Sequence, residues 1–198
     1  MPFWTTESLA TTKDPKRGFR FRIQFNGMAD GPVVWFAKKV TKPNFTITES
    51  KHAFLNHSFY YPGRVEWQEI SLTLVDPVSI DAVGQTNAII QASGYVIPGT
   101  ADDLRSMSKG KAATAINPIT IVQVDANGQD IEEWTLVNPF IKSAKYGELS
   151  YEDDNLTEIE IGLRYDYAIC DLKNGQKANL TQIPNNLGKD TQFFSTEG

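Results

Sequence analysis

His52 and His57 are the two imidazoles of the chain and the first place to look for acid–base or metal chemistry. Their spacing, inside an aromatic segment, matches neither one face of a helix nor one face of a strand. No cysteine or third histidine stands nearby to complete a zinc set, and no Gly-x-Ser-x-Gly elbow offers a nucleophile. Both read as loop-packing or surface residues. Lys109-Gly110-Lys111 is like the end of a phosphate loop, but Arg105 stands where the first glycine belongs. Asp125, Asn127 and Asp130 around Gly128 imitate a calcium loop, yet the ligand pattern that follows is wrong and a hairpin turn accounts for them better. Glu158 and Glu160 are a candidate carboxylate pair for glycoside hydrolysis. Two apart on one strand, they make a solvated acidic row, whereas catalytic pairs are brought together from different segments. The expectation is a chain with no catalytic residue, no metal site and no cofactor.

The elements that would position these residues are mostly strands. Phe19, Phe21, Ile23 and Phe25 alternate with Arg20, Arg22 and Gln24, the period of a half-buried strand. Val33 to Val40 reads as a second strand. Phe45, Ile47 and Glu49 alternate with Thr46, Thr48 and Ser50 in a third. Residues 51–64 interrupt the pattern and read as a loop rich in aromatics without a clean period. Val65 to Val75 resumes it, with Ile70, Leu72 and Leu74 on one face and Glu69, Ser71 and Thr73 on the other.

Residues 79–96 are the one good helix, with Ile80, Val83, Asn87, Ile90 and Gly94 as its stripe and Ala82 and Ile89 beside it. Residues 99–117 read as a long loop with a short helical turn near Asp102 to Met107. Ile119–Asp125 and Ile131–Val137 flank Asn127-Gly128, a hairpin signal. Ile141 to Ser150 is a weaker strand. The clearest comes last, with Thr157, Ile159, Ile161, Leu163, Tyr165 and Tyr167 on one face. Glu158, Glu160, Gly162, Arg164 and Asp166 take the other. The sum is mainly β, an antiparallel sandwich or barrel with one flanking helix. Residues 1–18 read as an N-terminal arm, 19–171 as the β domain and 172–198 as a polar C-terminal extension.

Composition sets the remaining bounds. The chain has 198 residues, 40% of them hydrophobic, with a net charge of −5 that argues against a DNA-gripping surface. Cys170 is the single cysteine, so no intramolecular disulfide forms and a reducing assembly compartment is expected. The first residues lack the pattern of a signal peptide, and no apolar run approaches the ~18 residues of a membrane span. A protein made in a cytoplasm and without a membrane partner is the expectation.

The order of parts then matters. An Arg-rich aromatic first strand (Phe19-Arg20-Phe21-Arg22-Ile23) precedes a strand with Val33-Val34-Trp35-Phe36. A long interruption follows, then Tyr61-Pro62-Gly63-Arg64, a strand ending in Asp76-Pro77, and a helix. This resembles the tail tube family of contractile-tailed phages, which shares its fold with the type VI secretion tube protein, over approximately Gly18 to Asp171. The resemblance implies a structural subunit of the virion tail, forming stacked hexameric rings whose lumen passes DNA without binding it specifically. It implies assembly in the host cytoplasm and, as partners, other copies, the tail sheath, a baseplate tube initiator and a tape-measure protein.

On that basis the 51–64 loop is a self-assembly surface carrying His52, Phe54, Leu55, His57, Phe59, Tyr60 and Tyr61. Glu69, Ser71, Thr73, Glu158, Glu160, Arg164 and Asp166 are candidates for the lumen wall, where duplex DNA needs neutral or acidic surroundings. Leu187, Phe193 and Phe194 suit either an inter-ring or sheath contact or a loosely ordered tail. A baseplate initiator or a secretion tube of the same fold remains open. So does a monomeric sugar- or ligand-binding barrel using Trp35, Trp67 and Trp134 as stacking surfaces.

Overall fold

Alternating side chains sort themselves onto two sheets in the computed structural model, which describes residues 15–25, 37–78, 81–99, 106–152 and 154–173. The strands are β1 (Phe21–Phe25), β2 (Ala37–Val40), β3 (Phe45–Phe54), β4 (His57–Trp67) and β5 (Ile70–Val75). Helices α1 (Ala82–Ala92) and α2 (Lys109–Ile116) follow, then β6 (Ile119–Val124), β7 (Asp130–Val137), β8 (Phe140–Lys145), β9 (Glu158–Arg164) and β10 (Tyr167–Leu172). One sheet has the order β1-β6-β7-β10 and the other β2-β5-β9-β8, antiparallel throughout. Strands β3 and β4 form a separate two-stranded ribbon.

The two four-stranded sheets share one core. Ile23, Phe25, Ile119, Ile121, Leu136 and Ala168 come from the first, and Ile70, Leu72, Leu74, Ile159, Ile161 and Leu163 from the second. Each fully buried aliphatic of this kind contributes roughly 1.5–3 kcal/mol. Ala82 and Ile116 bring the two helices onto the same cluster. The apolar cavity left between Phe25, Leu74, Thr86, Ile89 and Ile161 measures about 20 Å³, the size of one water rather than of a sugar.

Several expectations need correction. Among the described residues two helices flank the β structure, not one. Helix α2 lies where a loop was expected, in an Ala-containing stretch whose cap Ser108 accepts a bond from the Lys111 N–H. Lys109-Gly110-Lys111 is therefore its first turn and not a phosphate loop. Ser106 and Met107 are not helical, and 102–105 of the expected turn lie outside the described residues. Helix α1 buries Ala82 and Thr86 and packs Val83 and Ile89 against the core, while Asn87 faces solvent. Its inward face is thus rotated from the expected stripe, because the small Thr86 returns its hydroxyl to the Ala82 carbonyl (2.8 Å) and can be buried.

Two long strands are each broken. Val65–Val75 divides at Gln68-Glu69, where the Gln68 N–H bonds the Asn44 carbonyl (2.9 Å) and the chain leaves the ribbon for the sandwich. Thr157–Tyr167 divides after Arg164, so that Tyr167 opens β10 in the opposite sheet. Ile141–Ser150 ends as a strand at Lys145. The β6–β7 turn is as expected: Gly128 sits at φ 76°, and Asp125 Oδ1 accepts the Asn127 and Gln129 N–H groups at 2.8 Å, which accounts for the calcium-like spacing. The arm residues 1–14, the 26–36 segment with Trp35, Ile80, Asp153 and the extension 174–198 with Leu187, Phe193 and Phe194 lie outside the described residues.

Candidate assembly surface

The segment expected as an interrupting loop is a β-hairpin. Strands β3 and β4 pair from Phe45 with Trp67 out to Phe54 with His57, and Leu55-Asn56 form the tip, Leu55 at φ 52°. Neither edge of this ribbon is paired with another strand among the described residues. Its root is held by aromatics: Phe45 meets Trp67 edge-on at 5.2 Å between centroids, and Trp67 lies 5.9 Å from the buried Tyr165. Beyond that root every residue of β3 is exposed, and nearly all of β4. Leu55 is 89% exposed, Phe54 61% and Phe59 46%, a concentration of exposed apolar side chains on one ribbon.

A bulge decides which side chains share a face. The register shifts between Ile47 and Glu49 because β4 carries an extra residue at Gly63-Arg64. Thr48 Oγ1 accepts the Arg64 N–H at 2.8 Å, and a Cβ on Gly63 would lie 2.4 Å from that same oxygen. Glycine is thus required by the close approach of Thr48. Past the bulge His52 pairs with Phe59, Phe54 with His57 and Ser50 with Tyr61, so His52, Phe54, His57, Phe59 and Tyr61 occupy one face. His57 and Phe59 are in edge contact at 4.8 Å. Tyr60 is on the opposite face under the Lys51 ammonium, 6.0 Å from its ring centre. The two histidines do share a strand face, because a turn lies between them; a straight count along the sequence missed this. Among the described residues they belong to no cluster with metal-binding composition. Gly63→Ala should open the bulge, accelerating amide exchange at Arg64 by roughly tenfold while amides of β6 and β9 keep their protection. Unchanged exchange at Arg64 would show that Thr48 does not require the glycine.

Solved structures place this architecture. A chain of the anti-feeding prophage tube-terminating cap superposes with a TM-score of 0.59 at 19% identity, covering 87% of this chain and 99% of that one. A chain of the PVC sheath–tube complex, an extracellular contractile injection system in its extended state, gives 0.58 at 17% identity, covering 85% and 99%. A chain of the anti-feeding prophage baseplate gives 0.57 at 13% identity, covering 79% and 95%. The fold is tail-tube-like. No protein-family model and no curated protein matches the sequence, and at these identities the solved structures speak for the fold alone.

Within the tail-tube-like fold, the polar residues expected to line a lumen come together on the outer face of β2-β5-β9-β8. Thr73 pairs with Glu160 and Ser71 with Gly162, and the Glu69 carboxylate reaches over Gly162. This face is not a bare acidic row. Glu69 pairs with Lys142 (2.5 Å), Glu158 with Lys38 and Glu160 with Lys145 (3.0 Å). Hydrogen bonds from Lys145 and Ser71 hold the Glu160 carboxyl below its ordinary pKa. Arg164 ends the row. Asp166 is off the face, in the bend before β10, where Lys109 and Asn138 bind it and lower its pKa. The sequence showed the glutamates but not the lysines, which arrive from β2 and β8.

Trp67 is not a stacking platform in a pocket, whereas Trp134 borders an open groove of about 280 Å³ with Phe21, Ile121 and Gln123. Trp67 is the hairpin root, and Trp134 Nε1 donates to Glu132 Oε1 at 2.6 Å. Two features escaped the sequence reading altogether: the ion-paired Glu132 and the exposed connection between β8 and β9. The second was hidden because Ile141–Ser150 was taken as one strand, although Glu148, Glu152, Asp153 and Asp154 without an intervening cation signal a solvent-facing turn.

Proposed function

We propose that the chain is the repeating subunit of a contractile-particle tail tube, six copies closing a ring and rings stacking into a hollow cylinder. The observation that supports this most is the β3–β4 ribbon, which projects an aromatic face and two open edges from an otherwise filled sandwich. Docked on a neighbour, the ribbon buries Phe54, Phe59 and Tyr61 and satisfies its edges; because the receiving surface is a different patch, the contact is heterologous and repeats from copy to copy. The nearly full coverage of chains from a tube cap, a sheath–tube complex and a baseplate fits the same role. The sheath, a baseplate initiator and a tape-measure protein are the partners proposed, and DNA the cargo, in a virion assembled in the host cytoplasm. No helix among the described residues is long and apolar enough to cross a membrane.

Negative-stain electron microscopy across a concentration series, with size-exclusion chromatography alongside, tests this. Rings and cylinders of uniform width are expected. A chain that remains monomeric at every concentration, even when seeded with baseplate complexes, overturns the proposal.

The outer face of β2-β5-β9-β8 is proposed as the lumen wall, since three of its cations, Lys38, Lys142 and Lys145, are held in cross-strand ion pairs rather than offered to a duplex. In tubes of Glu158→Gln, Glu160→Gln protein, Lys38 and Lys145 lose their partners. Single-tube conductance should then shift toward anions relative to wild-type tubes. Unchanged selectivity would remove this face from the lumen.

A further inference from the structure

The connection from β8 to β9 is a second exposed apolar surface, and its chemistry complements the hairpin tip. Leu149 is 86% exposed, Leu156 72% and Tyr151 fully so. The connection has internal fixtures all the same. Tyr146 Oη donates to Asn87 Oδ1 on α1 at 2.7 Å, and the Glu152 N–H donates to Ser150 Oγ at 3.2 Å. Gly147, Ser150 and Leu156 border an open groove of about 620 Å³ beside the Lys38–Glu158 pair. Its charged side chains between Gly147 and Leu156 are Glu148, Glu152, Asp153 and Asp154, with no lysine or arginine.

The hairpin presents the opposite chemistry. Outward of the Glu49–Pro62 pair it carries Lys51, both histidines and no carboxylate, around Phe54, Leu55 and Phe59, and Arg64 stands at the bulge just below. Both surfaces are exposed, and among the described residues nothing of the subunit covers either of them. We infer that the basic, aromatic tip of the β3–β4 hairpin of one copy docks on the acidic, apolar β8–β9 connection of the next. This rests on the tube reading and adds the receiving surface to it. Apolar side chains supply the contact, while charge complementarity selects the orientation and suppresses tip-to-tip and loop-to-loop encounters. Because the two patches differ, each docked pair leaves one tip and one connection free, so the contact can repeat from copy to copy.

A charge exchange tests it. One variant carries Lys51→Glu and Arg64→Glu; the other carries Glu148→Lys, Glu152→Lys and Asp154→Lys. All five positions are exposed, so both variants should fold with unchanged circular dichroism and melting. Each alone places like charges at the contact and should raise the critical concentration for polymerisation about tenfold or more. Mixed in equal amounts they restore opposite charges at every contact and should polymerise within about twofold of the wild type. Either variant polymerising alone like the wild type overturns the inference and leaves the tube reading standing. A mixture of folded variants that stays unassembled also overturns it. Wild-type chain that fails to assemble even with seeds removes the tube reading, and this inference with it.

Discussion

Phe59→Asp, Tyr61→Asp protein will remain a folded monomer and will not polymerise. Both rings lie on the exposed face of the hairpin beyond the Gly63 bulge, and neither belongs to the buried cluster between the sheets. The core should not register their loss, so melting should move by less than about 2 °C. Assembly should register it strongly. Aromatics at the centre of an interface are worth ~2 kcal/mol or more each on truncation, and a carboxylate placed in an apolar contact adds the cost of its desolvation. The two together should raise the critical concentration by at least about a hundredfold. Pelleting and electron microscopy, read beside a thermal melt, separate the cases. Cylinders formed at wild-type concentration would show that this face is not buried on assembly. A collapsed melting temperature would show instead that the ribbon is part of the fold.

The second large effect concerns Glu132. Its side chain on β7 is only 9% exposed, and burial by itself would raise its pKa. Hydrogen bonds from Lys16, Lys42 and Trp134 outweigh that and bring the carboxyl from its ordinary 4.5 down to about 2. Lys42 lies 2.6 Å from it and also donates to Gln123 (2.7 Å), whose Nε2 donates to the Arg17 carbonyl at 3.2 Å. One carboxylate thus ties the segment before β1, the β2–β3 connection and β7 together.

At ~1.4 kcal/mol per pH unit the lowering corresponds to about 3 kcal/mol, and about 2 kcal/mol once the half-exposed lysines are screened by water. The folded pKa is below the unfolded one, so this stability is present above pH 4.5 and disappears as pH falls towards 2. Glu132→Gln should therefore be less stable than wild type by about 2 kcal/mol at pH 7 in urea unfolding, with the difference closing between pH 4.5 and 2. A difference that does not change with pH would assign the loss to packing rather than to charge.

Period-two alternation was enough to foresee most strands of the sandwich, because each buries one face and the requirement is written into consecutive residues. The inward sets Ile70-Leu72-Leu74 and Ile159-Ile161-Leu163 are buried as read, and Asn127-Gly128 turns β6 into β7. The aromatic character of residues 51–64 was equally plain. What alternation does not encode is where a strand changes sheet. Tyr165 and Tyr167 continue one rhythm through a bend that moves the chain across the core, since only the facing strands determine that β9 pairs with β5 while β10 pairs with β7.

The hairpin was lost for a related reason. A ribbon with both faces in water has no burial pattern to display, and the Gly63 bulge shifts its phase midway. Ion pairs are more remote still. Lys38 and Glu158 are 120 residues apart, and Lys16 and Glu132 are 116 apart. Residue types alone thus settled that this is a β-rich chain with a cluster of aromatics at 51–64. Which aromatics share a face, which glutamates are neutralised and which strands stand open were decided by tertiary pairing, because those properties belong to residues that meet only after the chain has folded.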